Sequence, residues 1–389
     1  MLGSFALPTA LFEQIVSWRR HLHAHPELSG EEKETAKFVA DKLKSFGLEV
    51  QTGVGGYGVV GLLSGLEPKS RCVALRADMD ALPIEEKNIC EYASTNRGVM
   101  HACGHDFHTA NLLGVASLLS QKKTEWKGTI KFIFQPSEER VPSGAKAMID
   151  EGVLSIPPLP SAIAGLHVSP EIETGKIGSC PGAFMASSDE IYITIIGKGG
   201  HAAMAEKLVN PLFVAADVLA SLKNVTDFSV PIVLNFGKIE GKGATNIVPD
   251  KVEIAGTLRC FKETLRFEVQ KKICSVVENV TSSNGAQALV DIKQGYPVLI
   301  NDEILTHKSI QLISKFIGGD RIIKVPPRMG SEDFAYYSHH IPAFFMRIGT
   351  GNNHKKTNYA LHTPTFDVDE DAFYISVPAL ACWAAFIEI

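Results

Sequence analysis

The stretch TIKFIFQPSEE, residues 129–139, joins a strand pattern to a pair of carboxylates. Residues 129–134 are rich in β-branched and aromatic side chains, a composition that favours a buried β-strand. Glu138 and Glu139 follow a few residues after this run. Because ligands of open parallel sheets bind beyond the carboxyl ends of the strands, the stretch predicts an α/β sheet with chemistry at its rim.

The segments around this stretch alternate between helical and strand patterns. Apolar residues recur at helical spacing, or form short β-rich runs, in residues 11–22, 31–46, 71–76, 106–119 and 162–166. This alternation is typical of an α/β domain with a mostly parallel sheet. The run GVGGYG, residues 53–58, has the spacing of a dinucleotide loop, but β-branched residues follow it, so we predict a hairpin there.

The pattern changes near Ser187. Over residues 187–295 the segments follow the order β-α-β-β-α-β, which is the pattern of a small two-layer α+β domain. We therefore predict a catalytic domain formed by residues 1–186 and 296–389. Residues 187–295 are predicted to form an inserted domain that serves as a lid or a dimerisation surface.

Composition excludes several classes of protein. The 389 residues are 45% hydrophobic, and 38 basic against 43 acidic residues give a net charge of -5, which offers nucleic acid no broad positive field. Several prolines in residues 152–170 disfavour a membrane span there, and residues 1–10 do not resemble a secretion signal. We expect a cytoplasmic protein without nucleic-acid or membrane partners. Seven scattered cysteines disfavour a disulfide scaffold.

Metal-binding residue types follow several of the predicted strands. Cys103 and His105 are two residues apart in a loop with Gly104 between them, so both side chains can point into one pocket. With Glu139, His167 and His362, also expected in loops, they form a mixed sulfur, nitrogen and oxygen set. Such a set suits zinc, manganese, cobalt or nickel better than calcium or magnesium.

The adjacent carboxylates Glu138 and Glu139 can divide two tasks. One can bind metal while the other takes and returns a proton beside an activated water. A nucleophilic Cys103 is the alternative mechanism, although it leaves the other candidate ligands without a role. A metal-binding protein without turnover is a further alternative. His21, His23, His25 and His108 are predicted to have structural or supporting roles.

Six motifs together are similar to those of the metal-dependent N-acyl-amino-acid amidohydrolases, a family that includes hippurate hydrolases and plant auxin-conjugate hydrolases. They are RADMDALP (76–83), HACGHD (101–106), QPSEE (135–139), GLH (165–167), GKGGHA (197–202) and MGSEDF (329–334). The resemblance covers nearly the whole chain in collinear order, and extends more distantly to aminoacylases and two-metal carboxypeptidases. Those carboxypeptidases typically have a histidine where this chain has Asp78 and a bridging aspartate where it has Cys103.

The resemblance implies a role for each matching residue of the catalytic domain. Two divalent transition-metal ions, zinc, manganese, nickel or cobalt, are implied, with Cys103 as the bridging ligand. The implied metal ligands are Cys103, His105, Glu139, His167 and His362. Glu138 matches the general base, and Asp80 matches a carboxylate that supports a ligand.

Further residues, mainly in the inserted domain, match substrate-binding positions. His201 matches a histidine that polarises the scissile carbonyl across a dimer interface, and Asn246, Arg259 and Gly330 match positions that bind the substrate. The implied enzyme is a homodimeric amidohydrolase that cleaves N-acyl-L-amino acids to a carboxylic acid and a free amino acid. A dipeptidase or carboxypeptidase on the same fold remains an alternative, and the motifs do not specify the acyl group.

Overall fold

The structure, a computed structural model, describes residues 5–389. Its α-helices are α1 (Thr9–Ala24), α2 (Lys33–Ser45), α3 (His105–Ser120), α4 (Gly144–Asp150), α5 (Pro211–Leu222), α6 (Glu263–Ser283), α7 (Glu303–Ile317), α8 (Ala335–Ser338) and α9 (Phe373–Phe386). Its strands are β1 (Glu49–Val54), β2 (Gly58–Ser64), β3 (Cys72–Asp78), β4 (Thr129–Gln135), β5 (Ile163–Glu173), β6 (Ile177–Ser179), β7 (Gly182–Met185), β8 (Asp189–Ile196), β9 (Gly200–His201), β10 (Ile232–Glu240), β11 (Ile247–Val248), β12 (Lys251–Cys260), β13 (Gln287–Gln294), β14 (Leu299–Asn301), β15 (Ile322–Lys324) and β16 (Ala343–Gly351).

The chain forms two compact units. Unit 1 comprises Met1–Phe184, Ile300–Pro326 and Asp333–Ile389, and unit 2 comprises Met185–Leu299 and Pro327–Glu332. The predicted boundaries lie at 186/187 and 295/296, and the grouping of the short segment Pro327–Glu332 with unit 2 was not predicted. No helix among the described residues is both long and apolar enough to cross a membrane.

Unit 1 is built on an eight-stranded sheet with the order β1-β2-β4-β3-β5-β16-β6-β15. The central strands β4, β3, β5 and β16 run parallel, whereas β1 and β2 form an antiparallel hairpin at one edge. The mostly parallel sheet and the hairpin over residues 53–58 are thereby confirmed. Every residue of β3 and β4 is buried, as expected for strands covered on both faces.

Helix α3 is the central helix of unit 1. It is buried along almost its whole length, because its sequence is apolar on nearly every side. It packs against the sheet and against α1 and α9, and their apolar residues belong to the same core cluster. The first residue of α3 is His105, so the position of this candidate ligand is fixed by the core beneath it.

Unit 2 contains a four-stranded antiparallel sheet with the order β10-β12-β8-β13. Helices α5 and α6 pack together and contribute to one apolar core with the buried residues of β8 and β12. The predicted β-α-β-β-α-β order is confirmed, with the short strands β9 and β11 added between its main elements. These two strands pair antiparallel, with His201 opposite Ile247.

The secondary structure around His167 differs from the prediction. The predicted strand ends at residue 166, with His167 in the following loop. In the structure β5 continues to Glu173, and His167 lies inside it. Beyond Ser169, the pairing of β5 with β16 contains a register shift between Gly349 and Gly351. Such a bulge accommodates Pro170, which cannot donate a regular ladder hydrogen bond, and the strand therefore continues.

Candidate metal centre

Cys103 lies directly before α3, in a turn that depends on Gly104. Gly104 has φ +85°, a left-handed conformation that favours glycine, and a Cβ there would lie 2.4 Å from Val168 Cγ2. The turn places the buried Cys103 sulfur 3.3 Å from Nε2 of His167 and 3.3 Å from Nε2 of His362. Three chain segments that are distant in sequence thus meet at one thiol.

The five predicted ligands form two groups of three that share Cys103. One group is Cys103, His105 and His167, and the other is Cys103, Glu139 and His362; within each group the ligand atoms lie within 4.8 Å of one another. The two groups are also adjacent, since His105 Nε2 lies 4.0 Å from Glu139 Oε1. The geometry is that of two neighbouring cation positions with one common sulfur.

The unsatisfied polar atoms of this centre fit a bound cation. His105 Nε2 is buried and makes no hydrogen bond within the described part of the chain, and the buried Glu139 Oε1 lies 3.2 Å from His362 Nε2 without a hydrogen bond of suitable geometry. An unsatisfied buried polar atom costs about 1–3 kcal/mol, so such atoms indicate a missing partner. A cation would satisfy both atoms, and the thiol, imidazole and carboxylate donors suit zinc, cobalt or nickel.

Asp80 orients both His105 and Glu139. His105 Nδ1 lies 2.9 Å from the Asp80 carbonyl oxygen and 3.2 Å from Asp80 Oδ1, which leaves Nε2 directed toward the candidate ligands. The other carboxylate oxygen of Asp80 accepts hydrogen bonds from the backbone N–H of Glu139 and the hydroxyl of Ser29. Burial alone would raise the pKa of Asp80, but these hydrogen bonds, that with His105 foremost, lower it.

The electrostatic environment of the centre is strongly negative without a metal. Burial, followed by the carboxylates of Glu139 and Glu138, raises the pKa of the Cys103 thiol well above its usual value. Although burial lowers the pKa of His105, the neighbouring Asp78 and Asp80 raise it to about 10. Activated cysteine nucleophiles have the opposite property, a lowered thiol pKa, so the surrounding carboxylates do not activate Cys103 as a nucleophile.

Glu138 lies next to the ligands but outside both groups that contain Cys103. Its side chain is buried, and Oε1 accepts a hydrogen bond of 3.3 Å from the backbone N–H of Asp333. The preceding residue, Ser137, has φ +54°, and its N–H donates to the buried Glu32 carboxylate at 2.8 Å. Carboxylates thus hold the backbone N–H groups of both neighbours of Glu138, Glu32 that of Ser137 and Asp80 that of Glu139.

The candidate substrate-binding residues lie in unit 2, where they form two pairs. Backbone pairing brings His201 next to Asn246, since the N–H of Ala202 donates to the Asn246 carbonyl at 3.0 Å. Arg259 is half-buried, and its Nη1 donates to the Ser331 hydroxyl at 2.8 Å, next to Gly330. Among the described residues no carboxylate oxygen pairs directly with the Arg259 guanidinium, although the charges of Asp189 and Glu190 act on it.

Several residues that support this centre were not predicted from the sequence to do so. Glu32 and Asp333 hold the backbone or side chain of the QPSEE segment, but their contacts span 105 and 195 residues in sequence. For Asp333 the MGSEDF motif was a usable signal, whereas a lone glutamate before α2 offered none. His108 does form hydrogen bonds rather than joining the Cys103 groups, in agreement with its predicted supporting role.

Comparison with known proteins identifies relatives along most of the chain. Residues 74–385 match the family model described as peptidase family M20/M25/M40. An N-acyl-L-amino acid amidohydrolase of Geobacillus stearothermophilus is 43% identical over 74% of this chain and 78% of its own. An N-acetyl-L-cysteine deacetylase of Bacillus subtilis is 39% identical over 94% of this chain and 86% of its own.

A solved structure shares the fold at higher coverage. The YXEP protein of Bacillus subtilis, described as a dinuclear metal binding peptidase from the M20 family, superposes with a TM-score of 0.85. It is 34% identical, and the match covers 97% of this chain and 98% of that chain.

Proposed function

The chain belongs to peptidase family M20/M25/M40, and from this membership we propose that it is a metal-dependent amidohydrolase that cleaves N-acyl-L-amino acids to a carboxylic acid and a free amino acid. The observation that carries the proposal is the pair of ligand groups sharing Cys103, with the buried Glu138 beside them. The names of the relatives from Geobacillus stearothermophilus and Bacillus subtilis support the substrate class.

Two divalent ions would be held by five side chains. Cys103, His105 and His167 would bind one ion, and Cys103, Glu139 and His362 the other. When bound, such ions supply Lewis acidity that lowers the pKa of water and polarises a carbonyl group. We propose zinc, manganese, nickel or cobalt as the metal, because the set combines a thiolate and imidazoles with the carboxylate of Glu139.

Glu138 would act as the general base and then as the general acid. Its carboxylate accepts a proton from the attacking water and returns the proton to the departing nitrogen, which becomes the free amine. The hydrogen bond from the backbone N–H of Asp333 holds Oε1 and so orients the carboxylate for this proton transfer. Burial excludes competing solvent from this step.

The substrate carboxylate would be bound by residues of unit 2. Arg259 offers a planar guanidinium, which forms stronger bidentate contacts with a carboxylate than an ammonium group does. We propose that Asn246 and Gly330 complete these contacts, and that His201 polarises the scissile carbonyl in the partner subunit of a homodimer. Acetyl, benzoyl and indoleacetyl are all candidate acyl groups.

Metal reconstitution tests this proposal. Protein stripped by a chelator and reloaded with zinc, manganese, cobalt or nickel is assayed on N-acetyl, N-benzoyl and indoleacetyl amino acids and on dipeptides. We expect metal-dependent hydrolysis of N-acyl-amino acids. Glu138→Gln should retain both ions and lose about 10²–10⁴ in kcat, as is typical when a general base is removed. Glu278→Gln, an exposed glutamate on α6, serves as the control and should retain full activity.

Three outcomes would contradict the proposal. Hydrolysis that survives complete metal removal would support the cysteine mechanism. Cleavage of dipeptides alone would identify a peptidase. Absence of turnover on the whole panel by the reloaded wild type would indicate a metal-binding protein without catalysis.

A further inference from the structure

Arg76 is a buried arginine of β3 whose guanidinium group donates hydrogen bonds to the side chains of Gln135, Asp78 and Asp333. Its Nε donates to Gln135 Oε1 at 2.9 Å, Nη1 to Asp78 Oδ2 at 2.6 Å and Nη2 to Asp333 Oδ1 at 2.6 Å. Arg76 is 1% exposed, and the side chains of Asp78 and Asp333 have no exposed surface. A charged group buried this deeply is sustained only when its hydrogen bonds are satisfied.

One chain of contacts leads from Arg76 to the metal ligand His167. Asp78 Oδ1 lies 2.6 Å from His108 Nδ1, and the backbone N–H of Val168 donates to His108 Nε2 at 3.0 Å. Because Nε2 accepts this bond, the proton of the neutral His108 ring is on Nδ1 and is donated to Asp78. The peptide group that follows His167 is thereby fixed to the Arg76–Asp78 pair.

His167 is oriented at its other ring nitrogen. Its Nδ1 lies 2.7 Å from the Val168 carbonyl oxygen, and Nε2 faces the Cys103 sulfur. Because a carbonyl oxygen only accepts, Nδ1 carries the donated proton, and in the neutral ring Nε2 has a free electron pair. The direction of that electron pair depends on the position of Val168.

A second chain of contacts leads from Arg76 to the proposed general base. Asp333 accepts hydrogen bonds from Arg76, from Gln135 Nε2 at 2.7 and 2.9 Å, and from the backbone N–H of Ala145 at 3.1 Å. The N–H of Asp333 in turn donates to Glu138 Oε1. The position of the Glu138 carboxylate therefore depends on the same guanidinium group as the position of His167.

Asp78 lies close enough to His105 and His108 to form a third group of possible ligands, but both of its oxygens already have partners. One of its oxygens pairs with His108 and the other with Arg76, although the latter oxygen is only 3.8 Å from His105 Nε2. The two-metal carboxypeptidases that this chain resembles typically have a histidine at this position. In this chain the position holds the group that connects Arg76 to the ligand backbone.

We propose that Arg76 is a positioning residue that sets the placement of the general base Glu138 relative to the metal ligand His167. The inference rests on the proposed function and extends it to a residue that contacts neither substrate nor metal. An arginine is required because three nitrogens of one rigid plane must reach three partners, and a lysine ammonium cannot span them.

The test compares Arg76→Lys with variants that interrupt one chain of contacts each. Metal affinity and stoichiometry are measured by Co²⁺ titration of the metal-free protein, together with the absorption that a thiolate ligand gives to Co²⁺. Arg76→Lys should weaken the binding of at least one ion by about 10–100-fold, as is typical for residues that orient ligands. It should also lower kcat by at least ten-fold while KM changes less than three-fold.

The two variants that each interrupt one chain of contacts should separate the effect on metal binding from the effect on kcat. His108→Gln should weaken Co²⁺ binding while kcat at saturating metal stays within three-fold of the wild type. Asp333→Asn should retain Co²⁺ binding and lower kcat. Arg266→Lys is the control: Arg266 is an equally buried arginine paired with Asp189 in unit 2, and its replacement should leave Co²⁺ affinity unchanged.

Wild-type metal affinity and kcat in Arg76→Lys would overturn the proposal. Arg76→Lys is informative only if it folds, as judged by circular dichroism. If it does not fold, the other two variants decide: normal Co²⁺ binding by His108→Gln or normal kcat in Asp333→Asn refutes the proposal. Failure of the proposed function is a different result, namely no turnover by the reloaded wild type. The Co²⁺ measurements need no substrate and decide the proposal in that case.

Discussion

His23 connects α1 to the start of α3 through two carboxylates. It has no exposed surface, and its ring nitrogens lie 2.8 Å from Asp106 Oδ2 and 3.0 Å from Glu86 Oε1. Arg19 donates to the same Asp106 oxygen at 2.7 Å. Asp106 directly follows His105, so this buried network holds the first turn of α3 and the ligand that begins it.

The protonation of His23 predicts a pH-dependent stability. Burial and the Arg19 charge lower the pKa of His23, but the bonds to Asp106 and Glu86 outweigh them and raise it to about 9. A histidine whose pKa is higher in the folded than in the unfolded state stabilises the folded state fully below the unfolded pKa of about 6.5. This stabilisation is lost as the pH rises toward the folded-state pKa of about 9. We expect the wild type to lose up to about 3 kcal/mol in this range relative to His23→Gln.

Urea unfolding of both proteins between pH 6 and 10, with a chelator present throughout, measures this difference. His23→Gln has no titrating group at this position and serves as the reference, so that other titrations cancel. A difference in unfolding free energy that stays constant over the whole range would contradict the assignment of a charged His23.

Individual side chains could be predicted from the sequence where a motif supplied a chemical reason. The thiol, imidazole and carboxylate candidates from Cys103 to His362 do meet within 4.8 Å in their groups. Of the partners that orient them, Asp80 was predicted and Asp333 lies in a quoted motif. The roles of Glu32 and Arg76 could not be predicted, because these side chains act through contacts between segments brought together only by folding. Burial of an arginine or a glutamate leaves no local pattern in a sequence.

At the scale of elements, the turn before α3 carries a specific prediction. Gly104→Ala adds a side chain in a left-handed conformation, and its Cβ would lie 2.4 Å from Val168 Cγ2. Gly182→Ala is the matched control, because Gly182 has φ +80° and a Cβ there would meet no heavy atom of the described residues within 4 Å. The control should lose about 1 kcal/mol of stability and retain metal affinity. Gly104→Ala should lose more and bind Co²⁺ more weakly.

Thermal unfolding and Co²⁺ titration of the two variants provide the measurements. Equal losses of stability together with equal Co²⁺ affinities would show that the turn does not position Cys103 and His105. The comparison separates the conformational cost, which both variants share, from the steric contact, which only Gly104→Ala introduces.

Element order could be predicted more fully than element length. Alternating patterns predicted the mostly parallel sheet and the order of the elements in unit 2, since hydrophobic periodicity reflects which faces are buried. The length of β5 could not be predicted, because Pro170 argues against a strand unless a bulge in β5 itself is known. The placement of Pro327–Glu332 with unit 2 likewise lacked a periodic signal.

At the scale of the whole molecule, the proposed role of His201 in a partner subunit can be tested by mixing two inactive variants. Glu138→Gln and His201→Ala are each expected to be nearly inactive as homodimers. In a mixed dimer, one catalytic centre would combine Glu138 from one subunit with His201 from the other. We therefore expect activity to return after subunit exchange, to about half the wild-type activity per mixed dimer.

Sedimentation establishes whether mixed dimers are present, and each variant incubated alone is the control. Mixed dimers without recovered activity would show that His201 acts within its own subunit or not at all. A fully active monomeric wild type would also exclude the role in a partner subunit.

Because Cys103 belongs to both ligand groups, chemical modification of its sulfur would affect both cation positions. Loss of His167 or His362 would impair one cation position, whereas conversion of the thiol to a sulfenic acid would disable both together. Without metal, the buried protonated thiol reacts slowly, since the thiolate is the form that oxidants attack. Oxidation of Cys103 is therefore expected to abolish the binding of both ions together. Protein that binds only one ion would result from changes at the imidazoles rather than at the sulfur.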